Sequence, residues 1–372
     1  MKEALDLSIG ELRTTIPQPI QDKVLGCLLG RPMNYLPPGG MPELREAIAS
    51  TAVLGQPISP SQISITGGAS MALTVALLSA GGAGDLIALP QICFPGTRNT
   101  VQFLGMRTVL YSGWDDLGAL FSRERPRFVL VNSPSNPAGH VIKPDQLLYV
   151  EELCRSYNAT LLYDEVYRDF VYEGHNPEPS HDVDCFRICS FSKMLGITGW
   201  RIGYLISPTA MSSRVDRVHY ALAMSASTPA QVLALAYHEW SEMHSWKRQL
   251  VQRCKDDRDA TVAALKRADL QINPPAGAYF LWFDMGKVGV KSADFVKLVS
   301  IRHNMLIADG QPFDASQRDA LRFRVNFAMT SGRAPEVADA LRDSLDIVLE
   351  ALKKNARLKG AEHKWQRSRP DP

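Results

Sequence analysis

The sequence lacks an excess of charge of either sign. It has 41 lysine and arginine residues against 39 aspartate and glutamate residues, which leaves a formal net charge of +2 at pH 7. A protein that binds nucleic acid or an anionic membrane through its overall charge carries a much larger positive excess. We therefore expect neither nucleic acid nor a membrane as a partner.

Long apolar runs are also missing. The most apolar stretch, from Met71 to Ala83, is far shorter than the roughly 20 residues that a helix needs to span a bilayer. The sequence begins Met1-Lys2-Glu3 and has no uninterrupted apolar core near this end. It therefore predicts neither a membrane-spanning helix nor a secretory signal peptide.

Cysteine is scarce, with 6 residues in a chain of 372. In a chain without a signal peptide, such cysteines are expected to be reduced thiols in the cytoplasm. Cys185 and Cys189 have no second pair at zinc-ligand spacing, so we expect no metal site.

The chain contains enough apolar residues to form a substantial core. Hydrophobic residues make up 45% and charged residues 22%, and 372 residues are enough for two or three domains. Between residues 63 and 206, short apolar runs alternate with amphipathic stretches, a pattern typical of strands buried on both faces and joined by helices. The predicted strands are Ile63–Thr66, Leu86–Leu89, Thr108–Tyr111, Phe128–Asn132, Thr160–Tyr163, Ile188–Phe191 and Gly203–Ile206.

This series predicts an α/β fold whose large domain has three αβα layers around a mostly parallel sheet. The pattern beyond residue 229 is α+β and predicts a second, smaller domain. We expect the large domain at residues 30–245 and the small domain at residues 1–29 and 246–352. A basic, flexible tail is expected at residues 353–372.

The most informative segment runs from Ser190 to Tyr204. The predicted strand leads into Ser190-Phe191-Ser192-Lys193, and two glycines and Arg201 follow. Hydroxyl groups and a guanidinium beside one lysine make an anion site next to a potential nucleophile. The alternative is an exposed lysine at a strand end.

This pattern resembles the lysine motif of the class I/II aminotransferase family, whose members are pyridoxal-phosphate (PLP) enzymes of fold type I. The resemblance rests on Ser-x-Ser-Lys and on the arginine eight positions after the lysine. It implies that Lys193 forms a Schiff base with PLP and that Ser190, Ser192 and Arg201 bind the cofactor.

Two earlier segments also match this family. Thr66-Gly67-Gly68-Ala69-Ser70 follows a predicted strand and opens an apolar helix, and free backbone N–H groups at a helix N-terminus suit a phosphate. The resemblance implies that Gly68, Ala69 and Ser70 bind the cofactor phosphate, although Met71 stands where many relatives have glutamine. It also implies that Phe94 stacks on the cofactor ring; the alternative is an aromatic residue of the core.

Asn136 and Asp164 follow neighbouring predicted strands. Asn136-Pro137 alone marks only a turn, and Asp164 could be a helix cap. A carboxylate at the end of a buried strand needs a partner, because an unpaired buried charge is costly. The resemblance implies that Asp164 pairs with the protonated ring nitrogen of PLP and that Asn136 and Tyr167 reach its phenolic oxygen.

Arg324 lies among apolar residues of a predicted strand, and its planar guanidinium suits a carboxylate. The resemblance implies that Arg324 binds the substrate α-carboxylate, with Asn136 and the backbone of Gly10 also facing the substrate. The alternatives are a structural ion pair or a carboxylate site at Arg322. Tyr35 matches a tyrosine that reaches the phosphate of the partner subunit, which implies a homodimer.

The resemblance implies ping-pong transamination between an L-amino acid and a 2-oxo acid, with Lys193, Asp164 and Tyr167 as catalytic residues. The alternative is a PLP-dependent lyase, cyclase or oxidase of specialised metabolism. A PLP-sensing gene regulator would need an added DNA-binding domain, and the match to the family leaves no room for one. Only about nine residues precede Gly10, fewer than the N-terminal arm that covers the site in relatives.

Overall fold

The computed structural model describes residues 4–30, 34–51, 58–180, 182–314 and 320–367, with side chains as far as residue 354. Its strands are short and are dominated by apolar residues. They are β1 (Leu5–Asp6), β2 (Ile63–Thr66), β3 (Leu86–Pro90), β4 (Arg107–Tyr111), β5 (Phe128–Asn132), β6 (Thr160–Asp164), β7 (Cys185–Ser190), β8 (Gly203–Ile206), β9 (Phe280–Asp284), β10 (Met305–Leu306), β11 (Ala308–Asp309) and β12 (Arg322–Asn326).

Helices connect most of these strands. They are α1 (Gln18–Gly30), α2 (Pro42–Thr51), α3 (Ala69–Ala80), α4 (Pro95–Phe103), α5 (Trp114–Glu124), α6 (Pro144–Tyr157), α7 (Ser192–Leu195), α8 (Ser212–Ala223), α9 (Thr228–Glu239), α10 (Met243–Arg267), α11 (Ser292–His303) and α12 (Ala334–Arg367). Within the described residues, each helix is too short or too polar to cross a bilayer.

The chain divides into two compact units. The larger comprises Glu11–Lys255 and Pro275–Tyr279, and the smaller comprises the described parts of Met1–Gly10, Asp256–Pro274 and Phe280–Pro372. Residues 11–29 and 246–255 thus belong to the larger unit, whereas the bounds predicted from the sequence assign them to the smaller domain. The backbone of α12 continues through residues 353–367, within the segment for which the sequence predicts a basic, flexible tail.

The larger unit contains a sheet of seven strands in the order β2-β8-β7-β6-β5-β3-β4. Neighbouring strands from β4 to β7 run parallel, and β8 runs antiparallel to both β7 and β2. The predicted α/β class with a mostly parallel sheet is confirmed. One predicted strand is displaced, since β7 begins at Cys185 rather than at Ile188. The prediction starts after Arg187 because this charged residue interrupts the apolar run, but Arg187 is buried within β7.

Apolar side chains cover both faces of this sheet. Leu130 of β5 and Leu162 of β6 pack with α3 on one face, whereas Val129 and Leu161, one position earlier, pack with α5 and α6 on the other. Successive side chains of a strand point to opposite faces. A strand buried on both faces is therefore apolar throughout, which is why continuous apolar runs predicted these strands.

The smaller unit has a different architecture. Its three-stranded sheet has the order β11-β12-β9 with antiparallel pairing, and β1 pairs with β10 in parallel. Two short strands, β10 and β11, lie on either side of Ile307, and they have different partners: β10 pairs with β1 and β11 pairs with β12. The unit is α+β, as the sequence predicts.

Candidate active site

Five predicted cofactor residues of the larger unit lie where strands of its sheet end. Phe94 follows β3, Asn136 follows β5, Asp164 ends β6 and Lys193 follows β7. Gly68 follows β2, which points the same way as these strands. In parallel sheets, ligands bind where the carboxyl ends of the strands meet. The topology therefore brings these five residues to one edge of the sheet.

Lys193 lies in α7, the single helical turn that follows β7. Its side chain is half-buried, and Nζ lies 5.7 Å from the ring centroid of Tyr167. The turn ends at Gly196 with φ +64°, where a Cβ would lie 2.7 Å from Cγ2 of Thr14 and 3.0 Å from the carbonyl oxygen of Leu12. Glycine at this position therefore lets the segment around residues 12–14 lie against the lysine turn.

Asp164 ends β6 between β5 and β7. Its register partners are Asn132 and Ile188, and one carboxylate oxygen accepts a hydrogen bond from the Val166 N–H at 3.3 Å. Burial raises the pKa of the Asp164 carboxyl from 3.8 to about 7, and the charge of Lys193 lowers it. The carboxylate form is thus poorly stabilised by its surroundings, and a cationic ligand group would stabilise it.

Tyr167 and Asn136 are both buried. The Tyr167 ring meets the Tyr279 ring edge-to-face at a centroid distance of 5.1 Å, and Phe170 packs on Tyr279 at 5.3 Å. The Asn136 N–H donates to Oδ1 of Asn132 at 2.8 Å. Packing and backbone hydrogen bonds therefore restrict both residues.

The residues predicted to bind the cofactor phosphate lie at the N-terminus of α3. Gly68 precedes the helix with φ +89°, and a Cβ there would lie 2.8 Å from Nη2 of Arg201. Arg201 therefore covers the first turn of α3, where free N–H groups point outward. Ser70 is exposed on that turn, and Gly203 allows the close approach of β8, because a Cβ there would lie 3.1 Å from the Ala69 nitrogen.

The two motif serines bond locally around the lysine turn. Ser190 Oγ accepts from the Ser192 N–H at 3.1 Å, and Ser192 Oγ donates to the carbonyl of Ile202 at 3.3 Å. Ser192 thus ties the lysine turn to the segment that carries Arg201.

The structure places Phe94 and Tyr35 at exposed positions. Phe94 precedes α4 and is 45% exposed, and Gly96 leaves room for its ring, because a Cβ there would lie 2.4 Å from Cε1 of Phe94. Tyr35 is 80% exposed. Both aromatic rings can therefore contact a ligand or another chain.

Arg324 belongs to the smaller unit, where β12 holds it. Its guanidinium lies 4.1 Å from the ring centroid of Phe280 and 5.0 Å from that of Phe313, and Nη2 donates to the carbonyl of Ser8. Beside it, Asn326 donates to the carbonyl of Ile9 at 2.9 Å. The segment that ends at Gly10 is thus fixed to β12.

Arg322, the competing candidate, is buried and has two carboxylate partners. Its Nε lies 2.8 Å from Asp284 and its Nη1 lies 3.0 Å from Asp314. A structural ion pair, the alternative considered for Arg324, is therefore found at Arg322 instead.

Sequence reasoning missed a buried charge cluster next to Asp164. The Glu165 carboxylate accepts two hydrogen bonds from Arg187, at 2.6 and 3.1 Å, and Arg168 and Glu178 complete the cluster. Burial raises the pKa of the Glu165 carboxyl, but the charges of Arg168 and Arg187 outweigh burial and lower it. Arg187 within an apolar strand, like Arg324, was the signal that could have revealed the cluster.

The family model for aminotransferase class I and II matches residues 2–341. The chain belongs to this family. As a class I and II aminotransferase family member, it is an enzyme of the transferase class, and the resemblance inferred from the lysine segment is confirmed.

Named relatives support this assignment. The chain is 30% identical over 294 residues to a (5-formylfuran-3-yl)methyl phosphate transaminase of Methanocaldococcus jannaschii, covering 77% of this chain and 78% of the relative. It is 27% identical to a valine–pyruvate aminotransferase of Mycobacterium tuberculosis, covering 91% and 90%. The crystal structure of an aminotransferase from Mycobacterium tuberculosis matches with a TM-score of 0.84 and 26% identity, over 92% of this chain and 91% of that one. The fold of this family member is therefore that of solved aminotransferases.

Proposed function

We propose that this family member is a PLP-dependent aminotransferase that transfers an amino group between an L-amino acid and a 2-oxo acid, with Lys193 as its central residue. The observation that carries the proposal is the placement of Lys193 beside Tyr167 and within the field of Asp164. A lysine, an acid and a tyrosine at the carboxyl edge of a parallel sheet suit a ligand that needs both a covalent anchor and charge stabilisation.

The residues present fit PLP at both of its charged ends. The α3 N-terminus and Arg201 form a cradle for a phosphate, since a Cβ on Gly68 would collide with the guanidinium. Asp164, with a pKa raised by burial, would regain a stable carboxylate beside a protonated ring nitrogen. Ser190 and Ser192 add hydroxyl groups near the cradle, Phe94 supplies an aromatic ring, and Tyr35 is proposed to reach the phosphate of the partner subunit.

When bound, PLP supplies a ring that accepts the electron pair left at the substrate Cα. The residues of the chain supply the remainder. Lys193 would hold the cofactor through Nζ, and its free amine would accept the proton that leaves the substrate Cα and deliver it to the cofactor. Asp164 would stabilise positive charge in a site of low dielectric constant, and Asn136 and Tyr167 would donate hydrogen bonds to the phenolic oxygen.

Arg324 is proposed to bind the substrate α-carboxylate, and the Gly10 backbone and Asn136 to face the substrate. The Arg324 guanidinium lies over the rings of Phe280 and Phe313, and its planar fork suits bidentate pairing with a carboxylate. Arg322 is already neutralised by Asp284 and Asp314, which favours Arg324. A carboxylate held at a fixed position orients the Cα–H bond, and orientation decides which bond breaks.

We also propose a homodimer in the cytoplasm. Exposed Tyr35 supports a contact with a second copy of the chain, and light scattering of the purified protein tests it. Within the described residues, each of the six cysteines is a thiol outside any disulfide, which supports a reducing compartment.

The function is tested by incubating the PLP-loaded enzyme with a panel of amino acids, with and without a 2-oxo acid. We expect a new 2-oxo acid product only when the acceptor is present. Ammonia, a cyclic amino acid or peroxide formed without an acceptor would instead indicate elimination, cyclisation or oxidation.

Lys193→Ala should abolish turnover and the visible absorbance of the bound cofactor. Lys143→Ala, at an exposed lysine of the same unit, is the matched control and should keep both. Full activity of Lys193→Ala would refute the assignment.

A further inference from the structure

The side-chain amide of Asn132 joins the two segments that carry Asn136 and Asp164. Asn132 is the last residue of β5 and lies opposite Asp164 in the parallel register. Its side-chain oxygen, Oδ1, accepts a hydrogen bond from the Asn136 N–H at 2.8 Å. Its side-chain nitrogen, Nδ2, donates to the Asp164 carbonyl at 3.0 Å and to the Pro134 carbonyl at 3.3 Å. One side chain thus bonds to the backbone of both residues.

The Asn132 amide suits this bridge because it has an acceptor atom and a separate donor atom on one short planar group. An aspartate carboxylate has only acceptors, a serine hydroxyl has its donor and acceptor on a single oxygen, and alanine has neither. The Ser133 N–H also donates to the Asp164 carbonyl, at 2.9 Å, so β5 and β6 stay joined if the Asn132 side chain is removed. What the Asn132 side chain adds is a direct link from Asn136 to Asp164.

We propose that Asn132 is a positioning residue that sets the spacing between Asn136 and Asp164, the two residues proposed to contact the phenolic oxygen and the ring nitrogen of the cofactor. The inference rests on the proposed function. A rigid ring of fixed size requires its partners to be held to within a fraction of an ångström. The Asn132 amide provides that constraint through the backbone of both residues.

A purely structural role in the turn can be separated from this one, because a second residue also holds the turn. Ser135 Oγ accepts from the His140 N–H at 2.9 Å, and the Ser135 backbone bonds to both His140 and Gly139. This Oγ bond lies within the turn and does not link it to Asp164. Ser135→Ala is therefore the matched control.

The experiment compares Asn132→Ala, Asn132→Asp and Ser135→Ala with the wild type. Asn132→Asp has nearly the same shape and keeps the acceptor for Asn136, but it loses the donor and sets a carboxylate against the Asp164 carbonyl. PLP affinity is measured by titrating each apoprotein, together with the absorbance maximum of the bound cofactor and the melting temperature of the apoprotein.

We expect both Asn132 variants to bind PLP at least about tenfold more weakly than the wild type, about 1.4 kcal/mol, with a shifted absorbance maximum. Ser135→Ala should bind PLP within about twofold of the wild type and leave the absorbance maximum unshifted. This should hold even if its melting temperature falls as much as that of the Asn132 variants. Equal affinities for the wild type and both Asn132 variants would overturn the inference, as would an equal loss in Ser135→Ala. If the wild type itself fails to bind PLP, the proposed function is refuted. If the wild type binds PLP and the Asn132 variants bind it equally well, only the role of Asn132 is refuted.

Discussion

Replacing Arg187 with methionine removes one half of an ion pair inside the larger unit. The side chains of Arg187 and Glu165 are 9% and 1% exposed, and two hydrogen bonds join them. After the change, Glu165 and Glu178 share Arg168 alone, whose Nε lies 3.7 Å from Glu165. The cluster passes from two positive and two negative charges to one positive and two negative.

Breaking a buried pair from one side costs about 3–5 kcal/mol, because the remaining charge is left uncompensated. For a cooperative unit of about 250 residues, an unfolding entropy of about 2.1 cal/mol/K per residue converts this loss into a melting temperature lower by about 6–10 °C. The assay is thermal unfolding of the apoprotein followed by circular dichroism. Restoring the charge balance with Glu165→Gln in the Arg187→Met background should recover most of the loss.

The matched control is Lys23→Met, which removes an exposed pair with Glu239 in the same unit. Those side chains are 48% and 45% exposed, and such pairs contribute about 0–1 kcal/mol. The reasoning is refuted if Arg187→Met melts within about 2 °C of the wild type. It is also refuted if the double variant is less stable than Arg187→Met, because uncompensated charge would then not be the cause.

Two further predictions concern the edge of the sheet. Gly203→Ala puts a Cβ 2.6 Å from the Cys189 carbonyl oxygen and 3.1 Å from the Ala69 nitrogen, so the backbone must move. Thermal unfolding should show a free energy of unfolding lower by about 1–3 kcal/mol, and titration should show a weaker affinity for PLP. Gly26→Ala, whose Cβ meets nothing within 4 Å, is the control, and equal stability of the two variants would contradict the prediction. The pKa of the Asp164 carboxyl is raised from 3.8 to about 7 in the folded protein, chiefly by burial, so its contribution to stability is lost as the pH rises through this window. Asp164→Asn abolishes this titration. The melting temperature of the Asp164→Asn apoprotein minus that of the wild-type apoprotein should therefore increase between about pH 4 and about pH 7. A difference that stays constant with pH would contradict this prediction.

Local patterns in the sequence predict most of the larger sheet. Three strands, β2, β5 and β8, have the bounds that the sequence predicts. Each of their apolar runs coincides with the strand that the structure shows. The start of β7 was missed because Arg187 looks like a strand boundary until its partner is known. That partner, Glu165, lies 22 positions away in the sequence, and no periodicity connects the two.

The same limit applies to the site. Asn136, Asp164 and Lys193 each follow a predicted strand, so the topology of a parallel sheet brings them to one edge. Asn132 carries no such signal, because an asparagine at a strand end is common and its bridge depends on the register of β5 with β6. Register is a property of two paired strands and cannot be read from either strand alone.

Asp164 and Glu165 show how this register decides chemistry. The two acids are adjacent in the chain, and successive residues of an extended segment point to opposite sides. Glu165 points toward Arg187 of β7, and the charges of Arg187 and Arg168 keep its pKa low despite burial. Asp164 points the other way, toward the side of Lys193, and burial raises its pKa to about 7. The charge of Glu165 is balanced within the protein, whereas the proposed partner of Asp164 is a cationic ligand group. A shift of the β6 register by one residue would turn Asp164 away from the side of Lys193.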